Sequence, residues 1–286
     1  MEAWYAYSLL ALLLLGGQRF LYKVAAARNC GTFLTTFCFM VTVAVLSSVL
    51  LVLHPPIIPS LGFLIFISLA NSLTFVGATL AHIEALKHMP ATVAYPLIRM
   101  NIVLVVLFAV FLLQERLQPL QAAGVLLSFA VIWILSRDSA SADGADTRAR
   151  GMLLVVLAMV AGALSAISSK YAADGTDLLA FIALSYIFST LFTLVLAPRM
   201  FAPDPDHDSK KTAVGIGLAM GLLNLAGFYF FLKALALGPL AIVAAVNGMH
   251  FLVAVVLSVV VFREKMTRNR VAALVLAVGA IILVRG

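Results

Sequence analysis

Ten long apolar stretches set the terms for this chain: residues 3–26, 31–53, 57–81, 91–113, 118–136, 151–170, 178–197, 212–236, 239–262 and 268–285. Each reaches about the 20 residues that an α-helix needs to cross a hydrocarbon core of about 30 Å. The runs are continuous, whereas barrel strands would alternate in units of about 10 residues, so helices are expected. The predicted fold is an all-α membrane protein with ten transmembrane helices.

Composition leads to the same solvent. The chain is 64% hydrophobic and 11% charged, against about half and about a quarter for a soluble domain. Water could not cover that much apolar surface. The first stretch has no basic residues ahead of it and no small-residue cleavage site, so it reads as a retained span and not a signal peptide. The net charge of +7 would point to nucleic acid in a soluble protein. Here the basic residues sit mostly in short loops, where they set topology, and no nucleic-acid partner is expected. Cys30 and Cys38, eight residues apart in apolar sequence, suit neither a disulfide framework nor a metal site. They read as small packing residues, and neither a metal nor a cofactor is expected.

The connections are short, with two exceptions. Residues 137–150 form a polar linker at the middle of the span count, and residues 198–211 hold Pro198, Pro203, Pro205 and three aspartates. The second reads as a solvated loop. The linker divides the chain into residues 1–136 and 151–286, five spans each. A shift of 149 residues lays 84–137 on 233–286 without a gap, and Ala85, Leu86, Pro90, Met100, Val106, Val110, Glu115, Ala123, Leu127 and Ile132 meet identical residues. Such a period marks internal duplication. Five spans is an odd number, so the second copy enters the membrane from the opposite side. An inverted repeat of this kind is common in secondary transporters.

The run Ala85-Leu86-x-x-x-Pro90-Ala91-x-x-Ala94, an apolar span and Glu115-Arg116-Leu117 recur as Ala234-Leu235-x-x-x-Pro239-Leu240, a span and Glu264-Lys265-Met266. On these features the chain resembles the EamA-type ten-helix members of the drug/metabolite transporter superfamily, over nearly its whole length. The resemblance implies a central cavity between the repeats, lined by spans 1, 3, 4, 6, 8 and 9. It leaves the substrate open, because members handle amino acids, drugs, sugars, nucleotide conjugates and vitamins. Pro90 and Pro239 fall at the starts of spans 4 and 9, where a missing N–H costs little. Glu115-Arg116 and Glu264-Lys265 fall in the turns after those spans, at the water interface.

Ionisable groups inside a bilayer are expensive and are functional candidates by default. Arg99 lies nine residues into span 4, about 13 Å down at about 1.5 Å per residue. It reads as a cavity or substrate residue, or as the structural partner of a carbonyl or of Glu84. Tyr95 precedes it by one turn and Asn101 follows. The repeat sets Asn247, Gly248 and His250 against Ile98, Arg99 and Asn101, so spans 4 and 9 carry polar groups at one depth. Asn71 on span 3 and Asn224 on span 8 miss equivalence by four residues, one helical turn, and so share a face. Each asparagine fits either an interhelical hydrogen bond or a ligand contact; together they outline a polar cavity. Arg19 on span 1 is deep enough to face that cavity, whereas Lys23 and Lys170 fit snorkelling anchors. Glu84 is the one acid placed to relay a proton, its plainer role being a pair with Lys87 or Arg99. Gly217-x-x-x-Gly221 is a helix-packing signature.

No soluble domain holds a nucleophile, and His54, His82, His88, His207 and His250 are scattered. The chain is therefore read as a transporter and not an enzyme. Membrane scaffold or receptor, and exporter of hydrophobic drugs, stand as alternatives. The expected partners are the bilayer, a small-molecule substrate, and a proton or counter-substrate, with the chain a monomer or homodimer. Arg99 and Arg19 against one acid favour a polar or anionic substrate over a simple cation. Thirteen Lys and Arg fall in loops after odd-numbered spans and four in loops after even-numbered spans and the ends. Under the positive-inside rule this places the odd loops in the cytoplasm and both termini outside, the reverse of the usual orientation in that family. The expected location is the plasma (inner) membrane.

Overall fold

The computed structural model describes residues 2–28, 30–88, 98, 100–137, 145–196, 207–262 and 268–284. The described residues are helical, with no strand among them: α1 (Ala3–Ala27), α2 (Thr32–Leu53), α3 (Leu61–His88), α4 (Asn101–Phe111), α5 (Pro119–Arg137), α6 (Ala145–Gly175), α7 (Leu178–Leu196), α8 (His207–Leu237), α9 (Leu240–Gly248), α10 (His250–Phe262) and α11 (Arg268–Val284). Six stretches among them are long and apolar enough to cross a membrane: Phe33–Leu53, Leu61–Thr79, Gly151–Gly175, Leu178–Val195, Lys210–Leu237 and Leu240–Phe262.

The distribution of side chains is that of a protein whose solvent is lipid. Val52, Phe66 and Trp133 stand 81%, 68% and 59% exposed, while Ser8, Ser47, Ser68 and Ser72 are fully buried. Many small polar groups are satisfied inside: the hydroxyls of Ser8, Thr42 and Ser47 donate to carbonyls of the preceding turn, as intrahelical bonding in a bilayer requires.

Two helices run past the predicted loops. The α6 helix begins at Ala145, inside the linker expected at 137–150, and α8 begins at His207, inside the loop expected at 198–211. The predicted span 239–262 is interrupted: α9 ends at Gly248 and α10 begins at His250. Met249 sits between them at φ −85°, ψ 2°, its N–H turned to the carbonyls of Val246 and Asn247. Met100, its counterpart under the 149-residue shift, precedes α4 at φ −62°, ψ −7°. Near-zero ψ is where a helix tightens into a turn.

The chain gathers into two compact units that are not its sequence halves. One holds Met1–Leu73, Ser168–Leu237 and His250–Arg263, the other Thr74–Ile167, Gly238–Met249 and Glu264–Gly286. Within the first, α1 packs on α8 and α10, and α2 packs on α7 and α8. Glycines permit the approach. A Cβ on Gly217 would lie 2.7 Å from Cys38 Cβ, and one on Gly221 would lie 2.5 Å from Thr42 Cβ. The predicted packing motif therefore seats α8 against α2, as small residues do in membranes. Gly227 does the same against Leu14 and Leu15 of α1. Within the second unit, α5 packs on α11, and α9 packs on α4 and α5.

Candidate functional site

Helical spacing puts Gln18, Arg19 and Tyr22 within one turn near the end of α1. Residues three apart are surface neighbours, and the Arg19 guanidinium lies 5.5 Å from the Tyr22 ring centroid, in reach of a cation–π attraction. Its Nε donates to Nε2 of His250 at 3.3 Å. His250 opens α10, directly after the Met249 break. One turn ahead of Arg19, Gly16 lets α10 close in: a Cβ there would stand 2.6 Å from the His250 carbonyl oxygen and would overlap Val253. The missing side chain at 16 thus brings residues 19 and 250 together. Accepting a guanidinium N–H uses a lone pair on Nε2, which an imidazole offers only while that nitrogen is unprotonated.

Beside this pair runs a chain of neutral hydrogen bonds. Tyr186 Oη on α7 donates to Asn224 Oδ1 on α8 at 2.5 Å, and Asn224 Nδ2 donates to Gln18 Oε1 on α1 at 3.0 Å. Gln18, Tyr186, Asn224 and His250 are buried, whereas Arg19 is exposed. Tyr186 is within electrostatic reach of Arg19 and Tyr22. Phe39 and Phe228 meet its ring edge-on at 5.8 and 6.2 Å. A phenol so packed is fixed in place, and the relay holds Gln18 and the adjoining turn of α1 in register. Among the described residues no carboxylate pairs with Arg19.

Of the residues singled out from the sequence, Arg19 and His250 bond each other, and Asn224 joins the relay to the neighbouring Gln18, all inside one compact unit. Asn71 belongs to a different network in the same unit. Its amide donates to Ser168 and Ser169 of α6 at 2.8 and 3.1 Å, and Ser72 donates to the Ser185 carbonyl at 2.7 Å; these bonds join helices. Lys170 donates to the Leu235 carbonyl at 2.6 Å and pairs with Asp174 at 3.1 Å. Asn101 and Asn247 fall in the other unit. Asn247 is buried. Asn101 Oδ1 is buried with no hydrogen-bond partner among the described residues, and a Cβ on Gly162 of α6 would stand 3.0 Å from its Nδ2. Tyr95 and Arg99 lie outside the described residues, as does the side chain of Glu84.

Gln18, Tyr22 and Tyr186 were not marked by sequence reasoning. Neutral amphipathic side chains are ordinary in membrane helices, and their one signal is proximity to Arg19: Gln18 precedes it, and Tyr22 follows by three. Nothing in the sequence ties Tyr186 to them.

The family model of the EamA-like transporters matches residues 2–137 and 149–286, once for each half. A solved crystal structure, titled only as that of a protein, is similar over 98% of this chain and 95% of its own, at 18% identity and a TM-score of 0.79. That likeness shows a shared fold. Among curated proteins no match was found.

Proposed function

We propose a transport function from a fixed premise: the chain belongs to the EamA-like transporter family. In our reading it is a secondary transporter of ten membrane-spanning helices, in two inverted five-helix repeats, 1–136 and 151–286, joined by the 137–150 linker. It moves a small polar or anionic metabolite across the plasma (inner) membrane by alternating access.

The observation that carries the substrate class is Arg19, a guanidinium on an apolar helix with no carboxylate partner among the described residues. A charge at that depth is costly unless it meets a counter-charge or lines a polar cavity. A carboxylate or phosphate ligand supplies the missing charge, and guanidinium geometry suits both. Neutral donors and acceptors around it, Gln18, Asn224 and Tyr186, fit a ligand's polar groups while they fix orientation. Arg99, Asn101, Tyr95 and Asn247 are proposed as further contacts and Glu84 as a proton relay, on the sequence argument alone.

Flux into proteoliposomes tests the reading. Saturable uptake of anionic or zwitterionic metabolites, lost in Arg19→Gln, supports it. Uptake of lipophilic cations alone would point to a drug exporter, and the absence of any flux to a scaffold or receptor.

A further inference from the structure

Two contacts fix the Arg19 guanidinium before a ligand reaches it. His250 Nε2 accepts its Nε–H at 3.3 Å, and its central carbon lies over the Tyr22 ring, 5.5 Å from the centroid. The first contact comes from the packing of α10 on α1, the second from helical spacing within α1. The relay of Tyr186, Asn224 and Gln18 holds the same turn of α1. His250 is buried and Arg19 is exposed, so the side chain is anchored from its buried side.

A guanidinium offers an anion paired donors along its side, Nε–H with one Nη–H, or across its end, Nη1–H with Nη2–H. An imidazole seated on Nε occupies the first pair. Resting on the reading of this cluster as an anion-transport site, we infer that His250 is a positioning residue: it holds Nε so that Nη1 and Nη2 receive the ligand end-on, through an acid group with at least two oxygens, a carboxylate or a phosphate. His250 acts through Arg19 and does not touch the ligand. An arginine side chain is rich in rotamers, and fixing it beforehand removes part of the entropic cost of binding. The gain is in affinity and not in the maximal rate. The arrangement depends on Gly16. A Cβ there would lie 2.4 Å from Val253 Cβ and 2.6 Å from the His250 carbonyl oxygen, so Gly16→Ala pushes the start of α10 from α1 and draws the imidazole off Nε.

Initial uptake of labelled glutamate and gluconate into proteoliposomes of the full chain tests this. His250→Phe keeps a ring and removes the acceptor. KM is expected to rise roughly 3- to 10-fold, the worth of one ordinary hydrogen bond, with the maximal rate near wild type. His250→Gln restores an acceptor and should recover most of the affinity. In Arg19→Lys, which has no fork to orient, adding His250→Phe should change KM by less than about twofold; a purely structural role would act equally in both backgrounds. Chloride, a single atom, cannot span both nitrogens and should compete far less than unlabelled gluconate. Wild-type KM in His250→Phe, or an equal rise in the Arg19→Lys background, overturns the inference and leaves the anion reading standing; so does inhibition by chloride equal to that by gluconate. Uptake of neither anion by wild type rejects the anion reading and the inference with it. Should His250→Phe fail to fold, Gly16→Ala makes the same comparison from the α1 side: the same rise in KM is expected, and an unchanged KM overturns the inference.

Discussion

The carboxylate of Glu115 caps the helix that starts at Leu240. One oxygen accepts the Leu240 N–H at 2.6 Å and the other the Ala241 N–H at 2.9 Å. Pro239, the N-cap residue, is extended at φ −69°, ψ 136° and has no N–H of its own. A side chain from the first repeat thus satisfies two orphan donors of a helix in the second and complements its positive end. The Glu-Arg turn expected only to mark the water interface fixes the start of α9, and α9 runs into the Met249 break and His250.

Glu115→Ala is therefore expected to lower stability by about 1–2 kcal/mol, the cost of a lost cap. Glu115→Gln retains one acceptor and should recover part of that loss. Thermal unfolding of the purified protein in detergent measures both, and equal melting of Glu115→Ala and wild type would contradict the capping role.

Arg19→Gln should reduce anion uptake roughly 10- to 100-fold, the worth of a charge-assisted hydrogen bond of about 1.5–3 kcal/mol. Arg19→Lys keeps the charge and loses the planar fork and the stacking on Tyr22, so it should fall between. Initial rates at several substrate concentrations separate the two; wild-type rates in Arg19→Gln would remove this residue from the site.

Gly221→Val places branched carbon where Thr42 Cβ and the Phe39 carbonyl oxygen would lie 2.5 and 3.1 Å from Cβ alone. Backbone cannot yield as a flexible side chain does, so α8 must part from α2. Overpacking of this kind costs about 1–3 kcal/mol. A drop in melting temperature is expected, with a milder one for Gly215→Val, whose added Cβ meets nothing within 4 Å.

Arg99→Ala is expected to abolish flux without loss of expression, on the sequence argument that a charge about 13 Å into a span supports binding or the conformational cycle. Monodisperse protein that still transports at the wild-type rate would reject that role.

The proposed orientation rests on thirteen Lys and Arg in loops after odd-numbered spans against four in the other loops and the ends. With the linker cytoplasmic, an impermeant thiol reagent applied to intact cells should spare a cysteine at Ser141 and label one added after Gly286. The opposite pattern would show the termini to be cytoplasmic.

Much of the architecture was legible because a bilayer imposes simple conditions. A helix must be about 20 residues long and apolar, so α2, α7 and α8 could be read from composition alone. The 149-residue period exposed the duplication, and Gly217 and Gly221 announced a tight helix contact. Intramembrane charge and amide groups are rare enough that Arg19, Asn224 and His250 stood out. The sequence, however, assigns no partners. It could not tell that Asn71 binds the hydroxyls of Ser168 and Ser169 while Asn224 binds Tyr186 and Gln18, since an amide has the same chemistry in either place. The interruption at Met249 was not read either: Asn247-Gly248 is a turn signal, but the apolar runs on both sides are long enough to be taken as one span, and whether a helix breaks there is settled by packing and local bonding. The meeting of Arg19 with His250, 231 residues apart, was decided by tertiary structure: Gly16 removes the side chain that would hold α1 and α10 apart, and only that close approach turns two isolated polar residues into a hydrogen-bonded pair.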